Sequence, residues 1–227
     1  MFGLDQRIAT FSNGTTLLVV VGVSVLLGLR HASDPDHLAA VTTMIASGRE
    51  RATRRAARLG FTWGLGHATS LFAFGLPVIF YRAYLPAPVE KAAETSVGFM
   101  IVLLSLLLLL RWRRGAYHHT ASHTHATRTG LQAYGIGLVH GMGGTAGLGL
   151  LLLAAIQSRM LAVAALAIFA FCTALSMVAL STGFGLALAS APVRRSFHVL
   201  APALGAASLA FGVWYALGAQ GLLPYVF

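Results

Sequence analysis

Apolar residues in this chain fall in long blocks, not in short alternations. Six blocks follow one another: about Thr15 to Ser47, Phe61 to Phe80, Ser96 to Leu110, Leu131 to Ile156, Met160 to Ala191 and Phe197 to Leu217. A helix crosses a bilayer in about 20 residues, so six blocks with short connections use the whole chain. The pattern predicts an all-α, polytopic membrane helix bundle of about six transmembrane helices, forming one domain over residues 1–227. A polar cluster around Pro35 interrupts the first block. Proline has no N–H, and its ring clashes with the carbonyl four residues earlier, which is that of His31. The first helix is therefore expected to break at Pro35 and leave that carbonyl free.

Composition agrees with the blocks. The 227 residues are 57% apolar and only 10% charged, and the mean hydropathy is +0.76. Soluble domains carry about 25% charged residues, so a disordered chain is excluded and an ordinary water-soluble globule is disfavoured. The single Cys172 excludes an internal disulfide and reads as a small core residue. The start of the chain lacks the cation cluster and small-residue cleavage site of a secretory signal.

The formal net charge is +10, from 16 Lys+Arg against 6 Asp+Glu. In a soluble protein this would suggest nucleic acid, but here the cations alternate along the chain. Arg49, Arg51, Arg54, Arg55 and Arg58 lie between the first two blocks; Arg111, Arg113, Arg114 and Arg128 between the third and fourth; Arg194 and Arg195 between the last two. The intervening side has only Arg7, Arg82, Lys91 and Arg159. Positive connections face the cytoplasm. Both termini are therefore expected outside an inner cell membrane, and no nucleic-acid partner is expected.

Short similarities hint at duplication. Gly28-Leu29-Arg30-His31 resembles Gly137-Leu138-Val139-His140, and Phe74-Gly75-Leu76 resembles Phe184-Gly185-Leu186. Two units of three spans must be antiparallel, the 3+3 inverted repeat of many secondary transporters. The units would be residues 1–114 and 130–227, joined by a loop at 115–129. Chance similarity between Gly/Leu-rich helices is the competing reading.

The chemistry concentrates in Arg30-His31-Ala32-Ser33-Asp34-Pro35-Asp36-His37. An ionisable group at the bilayer centre costs about 2.5 kcal/mol or more, so such residues are rare and usually functional. Two imidazoles and two carboxylates suggest a divalent transition metal. On one regular helix His31, Asp34 and His37 share an arc of about 120°, while Asp36 lies about 140° from His31. Gathering all four requires the break at Pro35. The alternative is a short span ending at Leu29, with solvated charges beyond it.

His67, in Gly64-Leu65-Gly66-His67-Ala68-Thr69-Ser70, and His140, in His140-Gly141-Met142-Gly143-Gly144-Thr145, are each flanked by glycines that permit close helix approach. They are candidate ligands from the second and fourth blocks, although a lone histidine in a helix is more often a packing residue. Thr173, Ser176, Met177 and Ser181 are weaker candidates, since intrahelical bonding explains the hydroxyls equally well. His118, His119, His123 and His125 form a His-rich tract in the 115–129 loop, an auxiliary metal-collecting or delivering segment, or else a plain polar linker.

The stretch from Arg30 to Leu38 resembles the signature of the nickel/cobalt transporter family: a histidine, four residues, then Asp-His, in an early membrane helix. His31, Asp36 and His37 match, with Arg30, Ala32 and Asp34 in the usual context. Leu65-Gly66-His67 with Thr69 is similar to the family's second motif. The Asp-Thr-Ala-Thr-Glu motif of the longer eight-span members has no counterpart here, which leaves ligands from the second half open. His140 to Gly147 stands where the shorter, urease-associated six-span nickel permeases would supply them.

The resemblance implies transport of Ni²⁺ or Co²⁺, with the metal as substrate, no cofactor, and His31, Asp36 and His37 in binding. Uptake is the first expectation and efflux the alternative. A cytoplasmic metal chaperone or a second copy of the chain is an expected partner beside the bilayer. An intramembrane enzyme is the remote reading. No Gly-x-Ser-Gly, His-Glu-x-x-His or phosphate-binding Gly-x-x-x-x-Gly-Lys sequence occurs.

Overall fold

The computed structural model describes residues 2–46, 53–81, 86–114, 129–141, 143 and 155–224. The described residues form helices only. They are α1 (Phe2–His31), α2 (Pro35–Ala46), α3 (Thr53–Tyr81), α4 (Ala87–Arg113), α5 (Gly130–His140), α6 (Arg159–Ala189), a short α7 (Ala191–Arg195) and α8 (Phe197–Ala219). Four helices are long and apolar enough to cross a membrane, and α1 with α2 makes a fifth, broken candidate span. Of the expected fourth block only α5, Gly141, Gly143, Ala155 and Ile156 are described. The His-rich tract at His118, His119, His123 and His125 lies outside the described residues.

The break falls where the proline predicts it, and α1 and α2 meet at 47°. Pro35 opens α2 at the position where a missing N–H costs nothing, and the Leu38 N–H donates to the Asp34 carbonyl at 3.0 Å. One expectation is corrected. The His31 carbonyl is not left free, because the Asp34 N–H donates to it at 3.1 Å while the Ser33 N–H donates to Arg30 at 2.8 Å. The chain tightens into three-residue turns, which satisfy the carbonyls that the proline would orphan.

Packing follows the small residues. Helices α3 and α6 run antiparallel, with Gly60 at Ser181 and Gly64 at Ala174. In α1, a Cβ on Gly28 would lie 2.6 Å from the Phe169 carbonyl oxygen of α6. In α4 and α8, Gly98 meets Ala216 and Gly212 meets Val102. The indole N–H of Trp112 donates to the His198 carbonyl at 2.9 Å. Helix α5 crosses α3 at a glycine-on-backbone contact from both sides, Gly66 against Tyr134 and Gly137 against Trp63. Without a hydrophobic drive between helices in lipid, such close approach supplies the packing energy. Many large apolar residues face outward, among them Leu18, Phe99, Phe171 and Met160, as lipid contact requires.

Helix α2 is the central piece, touching α4, α6 and α8. Two apolar clusters lie on either side of its start. One gathers Leu71, Ile79, Ala162, Leu166 and Phe169. The other gathers Val41, Met44, Ala56, Trp63, Ala133 and Met177, with Leu188 packed against it. Along α3 the order is Ala56, Trp63, His67, Leu71, Ile79. His67 thus sits between the two clusters.

Candidate metal centre

Four elements meet at one place, three of them by an end. The last residue of α1 is His31, the second and third of α2 are Asp36 and His37, the middle of α3 carries His67, and the last residue of α5 is His140. All are buried: His37, His67 and His140 show 0% exposure, His31 and Asp36 4%, and Asp34 7%. The reading in which everything after Leu29 is a solvated loop is therefore overturned. Only Arg30, Ser33 and Pro35 of this stretch are exposed.

The hydrogen bonds fix the ring tautomers. A carboxylate only accepts, so each imidazole nitrogen facing one carries the proton. Asp36 Oδ1 accepts from the His37 backbone N–H at 2.9 Å and from His37 Nδ1–H at 3.1 Å. Its Oδ2 accepts from His140 Nε2–H at 3.1 Å. Asp34 Oδ2 faces His31 Nδ1 at 3.3 Å. His31 Nε2 then presents a lone pair, and His67 Nε2–H donates to it at 3.1 Å. By elimination, in neutral rings, His37 Nε2, His67 Nδ1 and His140 Nδ1 are bare lone pairs. These three buried atoms have no hydrogen-bond partner.

Buried polar atoms in native proteins are almost always satisfied, and an exception calls for an explanation. Three bare imidazole lone pairs on three helices, those of His37 and His140 oriented from behind by the Asp36 carboxylate and that of His67 by His31, are what a bound transition metal needs. Two groups of three bring single ligand atoms within 4.8 Å of one another: His31, His37 and His67, and Asp36, His37 and His140. The donors are imidazole and carboxylate, which suits Ni, Co, Cu or Zn.

The histidines read as equivocal from sequence, His67 and His140, thus join the first-block cluster. Asp34 stands behind His31 and belongs to neither group of three. Two of the hydroxyl candidates on α6 are bonded elsewhere, whereas the buried Ser181 Oγ has no hydrogen-bond partner. Thr173 donates to the Phe169 carbonyl at 2.9 Å, and Ser176 to Leu29 at 3.1 Å. Met177 belongs to the core, and Ser181 lies beside Gly60. Cys172 is buried and free, as expected of a core residue.

Two aromatic residues of the centre are not apparent in the motifs. Trp63 has ring centroids 5.7 Å from His37 and 5.8 Å from His140, and Phe169 lies 5.6 Å from His31. Each belongs to one of the two apolar clusters, so a ring from each cluster packs against the centre. Trp63 is four residues before His67, a spacing that puts both on one face of α3; that was the available signal. A test follows. Ni²⁺ or Co²⁺ is expected to quench tryptophan emission in the purified protein, and Trp63→Phe is expected to remove most of the quenching. Equal quenching without Trp63 would place the ion elsewhere.

A buried histidine–carboxylate centre inside a lipid-facing helix bundle defines a class, the integral membrane proteins that take a divalent metal into their core. Residues 17–126 match a family model described as a high-affinity nickel-transport protein. The chain is also 26% identical over 209 residues to the urease accessory protein UreH of Bacillus sp. (strain TB-90), covering 88% of this chain and 91% of that protein. The chain thus resembles a nickel-transport family over just under half of its length. No solved structure matches.

Proposed function

We propose that this protein carries Ni²⁺, or Co²⁺, across the inner cell membrane into the cytoplasm, with the centre of His31, Asp36, His37, His67 and His140 as the transit site. The carrying observation is the set of three partnerless imidazole lone pairs, enclosed between two apolar clusters at mid-bundle. A site open to neither end is what an alternating-access carrier presents between its two open states. Asp36, with Asp34 behind His31, offsets the charge of the ion. Protonation would compete with metal, because neutral imidazole is the ligand.

The orientation reading has support in the packing. The start of α3 and the end of α6 share one apolar cluster through Ala56 and Leu188, and Trp112 ties the end of α4 to the start of α8. The three arginine-rich connections flank these ends, which makes them the cytoplasmic side. Both termini then lie outside, and His118, His119, His123 and His125 stand in a cytoplasmic loop where metal is handed on, to a chaperone or to storage. The inside-negative potential drives a cation inward by roughly 2.3 kcal/mol per charge per 100 mV. The role is transport, with the metal as substrate and no chemical step.

The 3+3 organisation also gains support. Exchanging the first and second units maps the α1–α6 contact onto α5–α3, and maps α3–α6 and α4–α8 onto themselves. His31 and His140, each ending a helix after Gly-Leu-x, are then equivalent positions.

Expression in a nickel-sensitive host tests direction. Import is expected to raise cellular nickel and sensitivity, and His37→Ala or Asp36→Ala to abolish both while the protein still reaches the membrane. Increased resistance would establish efflux instead. Undiminished nickel in both variants would overturn the site.

A further inference from the structure

The two groups of three ligands share one member, His37. We propose that they are two successive stations for a single divalent ion, which passes from His31, His37 and His67 to Asp36, His37 and His140 while His37 holds it throughout. This rests on the transport reading above and says how the ion crosses the centre.

The geometry puts His37 in the middle. Its ring centroid lies 4.6 Å from His31, 5.2 Å from His67 and 4.1 Å from His140. The His67 and His140 rings are 6.2 Å apart. An ion leaving His67 for His140 need not be released if His37 remains a ligand. Stepwise exchange avoids exposing a bare dication to the flanking apolar clusters, where its desolvation would be prohibitive.

The stations differ in charge. The first offers three neutral imidazoles. The second adds the Asp36 carboxylate as a direct ligand, whereas in the first Asp36 acts from behind, fixing the His37 ring through Nδ1. They also differ in the elements they join. His31, His37 and His67 all come from α1, α2 and α3, within the first three-span unit. His140 comes from α5, at the start of the second. Transfer therefore moves the ion from one unit to the seam between the two. The break at residues 32–34, with its three-residue turns, lets the start of α2 turn relative to α1, and His37 lies just beyond it.

Only one ion is held at a time. Two dications sharing one imidazole would face one direct carboxylate ligand between them, in a region without water to screen them. The stations are alternatives, and the energy difference between them sets how readily the ion moves on.

Titration of the purified protein with Co²⁺, read by visible absorption and by metal content after gel filtration, tests this. Wild type is expected to hold one Co²⁺ per chain. His67→Ala leaves the carboxylate station and His140→Ala leaves the all-histidine station. Each is expected to keep one Co²⁺, with spectra that differ from each other. Because the stations are alternatives for one ion, the variant that retains the tighter station is expected to stay within about twofold of the wild-type affinity. A loss of about tenfold in both would show one merged site. The double variant is expected to bind at least tenfold more weakly than either single one. His67→Gln and His140→Gln, closer in volume, replace any alanine variant that elutes as aggregate. Identical spectra from the two single variants, with no further loss in the double, would show one merged site and overturn the relay. Two Co²⁺ per chain in wild type would also overturn it. No Co²⁺ in wild type would overturn the metal-transport reading itself, a separate result.

Discussion

His37→Leu is expected to weaken Ni²⁺ binding by more than about 100-fold. Loss of an outer-shell partner alone costs roughly 10–100-fold, and His37 is the one ligand common to both groups of three. The same substitution is expected to leave the metal-free protein close to wild-type stability. Two effects oppose each other. The side chain gives up one hydrogen bond to the Asp36 carboxylate, about 1.5–3 kcal/mol for a charged partner. It also removes the partnerless Nε2, whose burial costs about 1–3 kcal/mol. The difference is about 1 kcal/mol, and leucine fills most of the space. Equilibrium dialysis with Ni²⁺ and thermal melting in detergent separate the two quantities. A large loss of melting temperature without metal would show that His37 is chiefly a packing residue. Near-normal nickel affinity would show that neither group of three is the site.

The sequence made the membrane bundle, the break at Pro35 and the first-block candidate residues legible, because each follows from a local rule. Long apolar blocks demand lipid, proline cannot continue a helix, and ionisable residues in an apolar block need a reason to be there. The joining of His67 and His140 to His31 and His37 was visible only as glycines beside histidines. It depends on how α3 and α5 cross, a long-range fact that periodicity does not carry. Trp63 and Phe169 were hidden for a related reason. Large aromatics are abundant in lipid-facing helices, and nothing local distinguishes one that packs against a polar centre from one that faces acyl chains. The His31 carbonyl shows a smaller failure of the same kind. The proline argument correctly removed one helical bond, but the chain re-formed it with a nearer donor, Asp34 N–H, which a fixed four-residue ladder does not anticipate.

The crossing that assembles the centre can be tested with a single methyl group. A Cβ on Gly66 would run into the backbone carbonyl of Tyr134 and lie 3.0 Å from the Leu138 nitrogen, and one on Gly137 would meet the Trp63 carbonyl and lie 2.8 Å from the His67 nitrogen. These obstacles are main chain, so no side-chain rotation relieves them and the two helices must move apart. Overpacking a well-filled contact costs about 1–3 kcal/mol, and Gly66→Ala is expected at the upper end, near 3 kcal/mol. The outward movement would also stretch the 2.6 Å bond from Ser70 Oγ–H to the Leu138 carbonyl. It would draw His140 away from His67 as well, so metal affinity should fall even in molecules that remain folded. Gly135 supplies the control. It lies on the same helix as Gly137, but a Cβ there meets nothing within 4 Å, and alanine gains up to about 1 kcal/mol over glycine in a helix. Gly135→Ala should therefore melt at or slightly above the wild-type temperature and bind Ni²⁺ normally. If Gly66→Ala behaves like Gly135→Ala, α3 and α5 do not approach closely enough to bring His67 and His140 to one ion.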